Sequence, residues 1–184
     1  GKWFGFENYD ILPDLFTTAK GLSGGLPQSA LVGRRELMDI YAPNTMTSTH
    51  SGSPVASAGT AANIKFLKEH NMCQEALRKG KIMEEKLKAL WKQFPERISY
   101  VSGIGMAWAV TFAEADTHAI HPEFALEVTK KCNENGLTFF AAVGAGITMK
   151  LTPPLTIPDD ALIEGLEAYA TAVAEADAIM PAYK

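Results

Sequence analysis

Lys20 is the residue of this sequence best placed to do chemistry. It stands between "PDLFTTA" and "GLSGGLPQ", at the end of an apolar segment and just before a glycine-rich turn. A lysine amine is a nucleophile only when it has shed its proton. Loss of water or a nearby cation lowers its pKa and suits it to condensation with a carbonyl group. The glycines let a ligand approach the backbone closely. The usual phosphate loop places its lysine after the glycines, whereas here the lysine comes first. The context predicts a lysine at a strand end with little water around it. Taken alone, Ala19-Lys20-Gly21 is also what an ordinary surface lysine before a turn looks like.

Other residue types with chemical potential are sparse. His118 and His121 flank a helix start, but no cysteine or further histidine is near, so a solvated loop is expected rather than a metal site. Cys73 and Cys132 form no CxxC pair and read as two buried thiols in a reducing cytosol, with a single disulfide as the alternative.

Several elements position these residues. "SALVG" reads as a short strand and "RRELMDIY" as one or two helical turns. A helix opens at Pro54, with Ser51 or Ser53 as its cap. In the next helix Ala76, Leu77, Gly80, Met83, Leu87, Leu90, Trp91 and Phe94 recur every three or four residues, against a face rich in Lys and Glu, and Pro95 ends it. "RISYVSGIGMAWAVTF" predicts two strands around Gly103 and Gly105. "HPEFALEVTKKCNENG" predicts a helix with Pro122 in its first turn and Gly136 as its stop. "LTFFAAV" and "GITMKLTPPL" read as two more strands. A last helix begins near "PDDALIEG", burying Leu162, Leu166, Tyr169, Ala170 and Val173, with Asp159 and Asp160 at its positive end. From about residue 95 the expected order is strand, strand, helix, strand, strand, helix.

The chain has 184 residues, of which 47% are apolar and 21% charged, with a net charge of −4. Those values fit a globular protein and give no reason to expect nucleic acid or an anionic membrane as partner. No apolar run nears the roughly 18–20 residues of a membrane span. The opening "GKWFGFENYDILPDLF" has neither a signal peptide's layout nor a helix-start signal, and reads as the interior of something longer.

"GKWFGFENYDILPDLFTTAKGLSGGLPQSALVGRRELMD" resembles the cofactor-lysine segment of the class III aminotransferases. These are pyridoxal-phosphate enzymes that include acetylornithine, ornithine and 4-aminobutyrate aminotransferases. The resemblance continues through "TSTHSGSPVASAGTAANIKFL", similar to the family's Thr-x-x-Gly-Asn-Pro segment and its helix. "VSGIGMAWAVTF" is similar to its "RGxGLMxAxEF" hairpin, and "GLTFFAAVGAGITMKLTPPLTI" to its "RxxPPL" strand pair. It spans essentially the whole chain.

The resemblance implies an α/β protein of fold type I. Residues 1–50 would be the tail of the large cofactor domain, 51–94 linking helices, and 95–184 the small α+β C-terminal domain. It implies that Lys20 forms the Schiff base with pyridoxal 5'-phosphate and, once displaced by a substrate amine, carries the substrate's proton. Thr49 matches the threonine that hydrogen-bonds the cofactor phosphate, usually across a homodimer interface; it also suits backbone capping at a helix entry. His50 and Ser51 occupy variable positions beside it. Lys150 stands where the family often carries a carboxylate-gripping arginine, and a point charge cannot reproduce that fork. A changed substrate or a plain solvent-facing lysine both fit. Gly-Asn-Pro has become Gly52-Ser53-Pro54. The family's aspartate on the ring nitrogen, its phosphate loop and its stacking aromatic all precede the lysine segment, so an N-terminal part of the same protein is an expected partner. The implied substrates are an amino donor and a 2-oxo acid, in a cytoplasmic enzyme. A racemase or decarboxylase of the family, or a non-catalytic fragment, is the alternative.

Overall fold

The computed structural model describes residues 1–45, 48–114, 119–140 and 146–181. They form two compact units, Lys2–Cys73 and Gly1 with Gln74–Lys184.

The first unit is built on an antiparallel ribbon of β1 (Leu15–Thr18) and β2 (Ala30–Gly33), with Leu15 opposite Gly33 and Thr18 opposite Ala30. The aromatic opening of the chain packs on it. Phe4 and Phe6 stack at 5.5 Å, and both tilt against Phe16 of β1, at 4.7 and 5.3 Å. Such ring pairs add stability beyond their buried area. A 3-10 turn at Gly5–Asn8 starts there, and the Glu7 carboxylate accepts the Phe4 amide at 2.7 Å. This start was not apparent from the sequence, because its capping position holds Phe rather than a hydroxyl or amide residue. A short α1 (Arg35–Met38) follows β2. Then α2 (Pro54–Glu69) opens with Pro54 in its first turn; Ser53 occupies the cap position without a side-chain bond. The ribbon leaves Leu15, Leu31 and Val32 exposed, as are Leu12 and Ile40.

The second unit is a three-stranded antiparallel sheet in the order β3 (Ile98–Ile104), β4 (Ala107–Phe112), β5 (Thr148–Leu151). Packed with it are α3 (Met72–Gln93, in this unit from Gln74), α4 (Pro122–Glu134) and α5 (Asp159–Ile179). Met83, Leu87 and Leu90 of α3 are buried as their spacing predicts. They join Val110 and Phe112 of β4, Phe124, Val128 and Cys132 of α4, and Leu162, Leu166, Tyr169 and Val173 of α5. Each fully buried large side chain contributes about 1.5–3 kcal/mol. The Lys-rich face of α3 is not uniformly solvated. Lys79 is buried, and its ammonium donates to the carbonyls of Leu155 at 2.9 Å and Ile157 at 2.6 Å.

Helix α5 is held at both ends by arginines. Arg78 forks onto both oxygens of Asp159 at 2.6 and 2.7 Å. Arg97, buried, reaches Asp177 at 2.7 Å and the carbonyls of Met180 and Pro181, with its guanidinium 4.7 Å from the Phe124 ring centre.

Two strand expectations differ from what is observed. Gly103 lies inside β3, opposite Trp108, and the turn is made by Gly105 and Met106. The Trp108 indole donates to the Gly105 carbonyl at 2.8 Å and fastens that turn. "LTFFAAV" forms no strand over Leu137–Phe140, and its remaining residues lie outside those described. Its start is committed to closing α4: the Leu137 amide donates to the Cys132 carbonyl at 2.8 Å around Gly136, whose φ is +80°. Phe139 then stacks on Tyr169 at 5.6 Å.

Candidate active site

Lys20 follows Ala19, which is extended, and opens a 3-10 turn over Lys20–Leu22. Its own φ is +53°, in the left-handed region that side chains rarely adopt. Such a residue costs about 1–3 kcal/mol and persists only where its surroundings impose it. The surroundings are specific. Buried Ser23 donates its hydroxyl to the Leu26 carbonyl. Asn63, in mid-helix on α2, donates its carboxamide to the carbonyls of Gly21 at 2.8 Å and Leu22 at 3.0 Å. Leu26 lies against Gly59 of the same helix, where a β-carbon would stand 2.5 Å from its methyl.

Lys20, Gly21, Gly24, Gly25, Leu26 and Pro27 line an open concavity. The Lys20 side chain is exposed among the described residues, where little water was expected around it. Among the described residues nothing bonds or pairs with the Lys20 amine.

Thr49 is exposed in the turn before α2. There Ser48 and Ser51 pair through their hydroxyls at 2.8 Å, and the Ser51 amide donates to the Ser48 carbonyl. No described hydrogen bond uses the Thr49 hydroxyl, and none joins it to Lys20. His50 is also exposed.

Lys150 belongs to the other unit, in the middle of β5 and opposite Ala109. It is exposed and borders an apolar cavity of about 370 Å³ whose lining includes Met83, Phe139, Leu151, Pro153 and Ile157. His118 lies outside the described residues. His121 faces Glu114 at 3.4 Å and Glu123 at 3.3 Å. Both cysteines are free, and burial pushes the Cys132 thiol up to about 12. Among the described residues no helix is long and apolar enough to cross a membrane.

Sequence reasoning missed Asn63, Lys79 and Arg97. Asn63 did leave a signal, a poor helix former in a run of small residues. Lys79 and Arg97 look like any other surface cation in sequence.

Comparison with known proteins bears on the whole chain. The model of the family "Aminotransferase class-III" matches residues 1–173. A probable 4-aminobutyrate aminotransferase of Bacillus subtilis is 33% identical over 167 residues, covering 90% of this chain and 38% of that protein. A leucine/methionine racemase of Thermococcus litoralis is 34% identical over 178 residues, covering 96% and 40%. Among solved structures, an S-selective transaminase from Arthrobacter sp. with alanine bound superposes with a TM-score of 0.83 at 27% identity, over 95% of this chain and 40% of that one. The chain thus spans about two-fifths of the length of these relatives. The mixed α/β architecture is that of fold type I, whose members of this class use pyridoxal phosphate. On these grounds the chain belongs to the class III aminotransferases.

Proposed function

We propose that the protein is a pyridoxal-phosphate-dependent aminotransferase that moves an amino group between an amine or amino acid and a 2-oxo acid. In this reading residues 1–50 are the tail of the cofactor domain, 51–94 link it, and 95–184 form the C-terminal small domain. The aspartate, phosphate loop and stacking aromatic come from a preceding segment. The enzyme is a cytoplasmic homodimer.

The observation that carries the reading is the family match through residue 173, together with a lysine at position 20 that borders a glycine-lined concavity. The residues present fit the cofactor. Lys20 offers a primary amine beside a concavity floored by glycine, and a β-carbon on Gly21 or Gly25 would meet nothing within 4 Å, so a flat ring has room to approach. When bound, pyridoxal phosphate supplies a sink for the electrons left by removal of a substrate proton. Lys20 would hold the group through its amine and would hold and move the substrate proton at its Nζ. Thr49 offers a hydroxyl donor to the phosphate next to the start of α2, where helix amides favour an anion. Lys150 attracts a carboxylate without fixing its orientation.

The similarity to an amino-acid racemase supports a second reading, in which the substrate would keep its amino group, Lys20 would exchange a proton on its own face, and a second acid would serve the opposite face. Consumption of a 2-oxo acid distinguishes the two. The test is borohydride treatment of the full-length, cofactor-loaded protein followed by peptide mapping. The expected result is a pyridoxyl label on Lys20 and no turnover in Lys20→Ala. A label on another lysine overturns the assignment.

A further inference from the structure

We propose that Asn63 is a positioning residue for Lys20, holding the left-handed turn in which that lysine presents its amine. This rests on the reading of Lys20 as the cofactor-bearing residue.

The local bonds around Lys20 are few. The Leu22 amide donates to the Ala19 carbonyl at 3.1 Å, and the Ser23 amide to the Lys20 carbonyl at 3.4 Å. Neither fixes a φ of +53° on a residue with a long side chain. The remaining restraint comes from a helix more than forty positions away in sequence. A carboxamide has two N–H donors, and the Asn63 amide nitrogen meets two carbonyls, those of Gly21 and Leu22. These belong to the second and third peptide groups after Lys20, those that join Gly21 to Leu22 and Leu22 to Ser23. Fixing both planes anchors the turn just beyond Lys20, and the bonds from the Leu22 amide to Ala19 and from the Ser23 amide to Lys20 carry that restraint back to the lysine.

Asn63 does not act alone. Gly59 lies one helical turn before it, on the same face of α2. The Leu26 side chain occupies the space a β-carbon of Gly59 would need. The loop is therefore gripped at its start by Asn63 and at its end by Gly59. Gly24 passes so near Asn63 that a β-carbon there would stand 3.2 Å from the Asn63 amide oxygen. Nothing within α2 explains an asparagine at this position. Its amide nitrogen is spent on the loop, and asparagine is a poorer helix former than the alanines around it. A loop released from this grip would let the Lys20 amine sample directions that do not reach the reacting carbon.

The test compares Asn63→Ala, Asn63→Asp and Thr60→Ala with wild type in the full-length, cofactor-loaded protein. Asn63→Asp keeps the side-chain shape and loses both donors. Among the described residues Thr60 bonds only the Ala56 carbonyl of its own helix, and it serves as control. Three quantities are read: the residue labelled by borohydride, the pH midpoint of the bound cofactor's visible absorption, and the single-turnover rate with an amine donor alongside the cofactor Kd. Both Asn63 variants are expected to carry the label on Lys20. They should show a displaced absorption midpoint and a rate lowered about tenfold to hundredfold, the usual consequence of misplacing a reacting group. Cofactor Kd should change less than the rate, and Thr60→Ala should match wild type. If the label stays on Lys20 while midpoint and rate remain those of wild type, the role of Asn63 is wrong and the function stands. If the label lies elsewhere in wild type, the function fails and this role falls with it. Should either variant not fold, Asn63→Ser, whose hydroxyl is too short to span both carbonyls, carries the same test with the same two outcomes.

Discussion

A β-carbon on Gly80 would stand 2.4 Å from the carbonyl oxygen of Gly105. Helix α3 and the β3–β4 turn meet there, backbone against backbone. Gly80→Ala would gain about 1 kcal/mol in helix propensity. It would also force an overlap with an atom that cannot swing aside, and overpacking of this kind costs about 1–3 kcal/mol. The second effect is expected to win. Denaturant unfolding of the full-length protein should show Gly80→Ala less stable than wild type; a gain in stability would mean the turn moves away freely.

Burial pushes the Cys132 thiol from 9.0 up to about 12, and the fully buried Tyr169 phenol rises well above 10.0 for the same reason. Both are held neutral by the fold. A raised acid pKa contributes stability that is complete below the unfolded value and is lost as pH rises toward the folded one. Stability should therefore fall between 9.0 and about 12. Cys132→Ala should flatten that slope without abolishing it, since Tyr169 remains. Unfolding midpoints across this range and below it provide the measurement.

Thr49→Val removes a hydroxyl donor and keeps the shape. If Thr49 serves the cofactor phosphate, cofactor binding should weaken by about 1–3 kcal/mol, the cost of leaving a charged acceptor unpaired. A fluorescence or absorbance titration of the apo protein reads it. If the phosphate lies across a dimer interface, diluting the protein until it dissociates should weaken binding in wild type as well. A fully active monomer would contradict the homodimer.

Lys150 supplies charge without a fork. The protein is expected to prefer an amine or ω-amino acid whose reacting carbon bears no carboxylate over ordinary 2-amino acids. Lys150→Arg should shift a donor panel toward 2-amino acids. An identical panel for both proteins, led by ordinary 2-amino acids, would make Lys150 a bystander.

The helices were legible because their apolar residues repeat at the right spacing. Met83, Leu87 and Leu90 are buried on α3, and Leu162, Leu166, Tyr169 and Val173 on α5. Pro54 and Pro122 mark the two starts they were expected to mark. The segment after Gly136 was misread because an apolar, aromatic run looks like a strand whether or not a neighbour is free to pair with it. Phe139 spends its ring on Tyr169 instead. The glycine-rich turn after Lys20 was legible, but the positive φ of the lysine was not, since no local residue dictates it. The restraint comes from Asn63, and contacts between residues so far apart in sequence leave no periodic trace. Lys79 escaped notice because a lysine bonded to two carbonyls is spelled like one bonded to water.

The arginines at the two ends of α5 act differently when the helix begins to open. The Arg78–Asp159 pair is about half exposed, so added salt screens it. The Arg97 side chain is only 6% exposed and also holds two backbone carbonyls, so although Asp177 is 40% exposed, salt should weaken this end less. Amide hydrogens near Asp159 therefore exchange by fraying that quickens with ionic strength. Those near Asp177 exchange only when the packing around Phe124 opens with them. The helix is expected to unravel from its first turn toward its last.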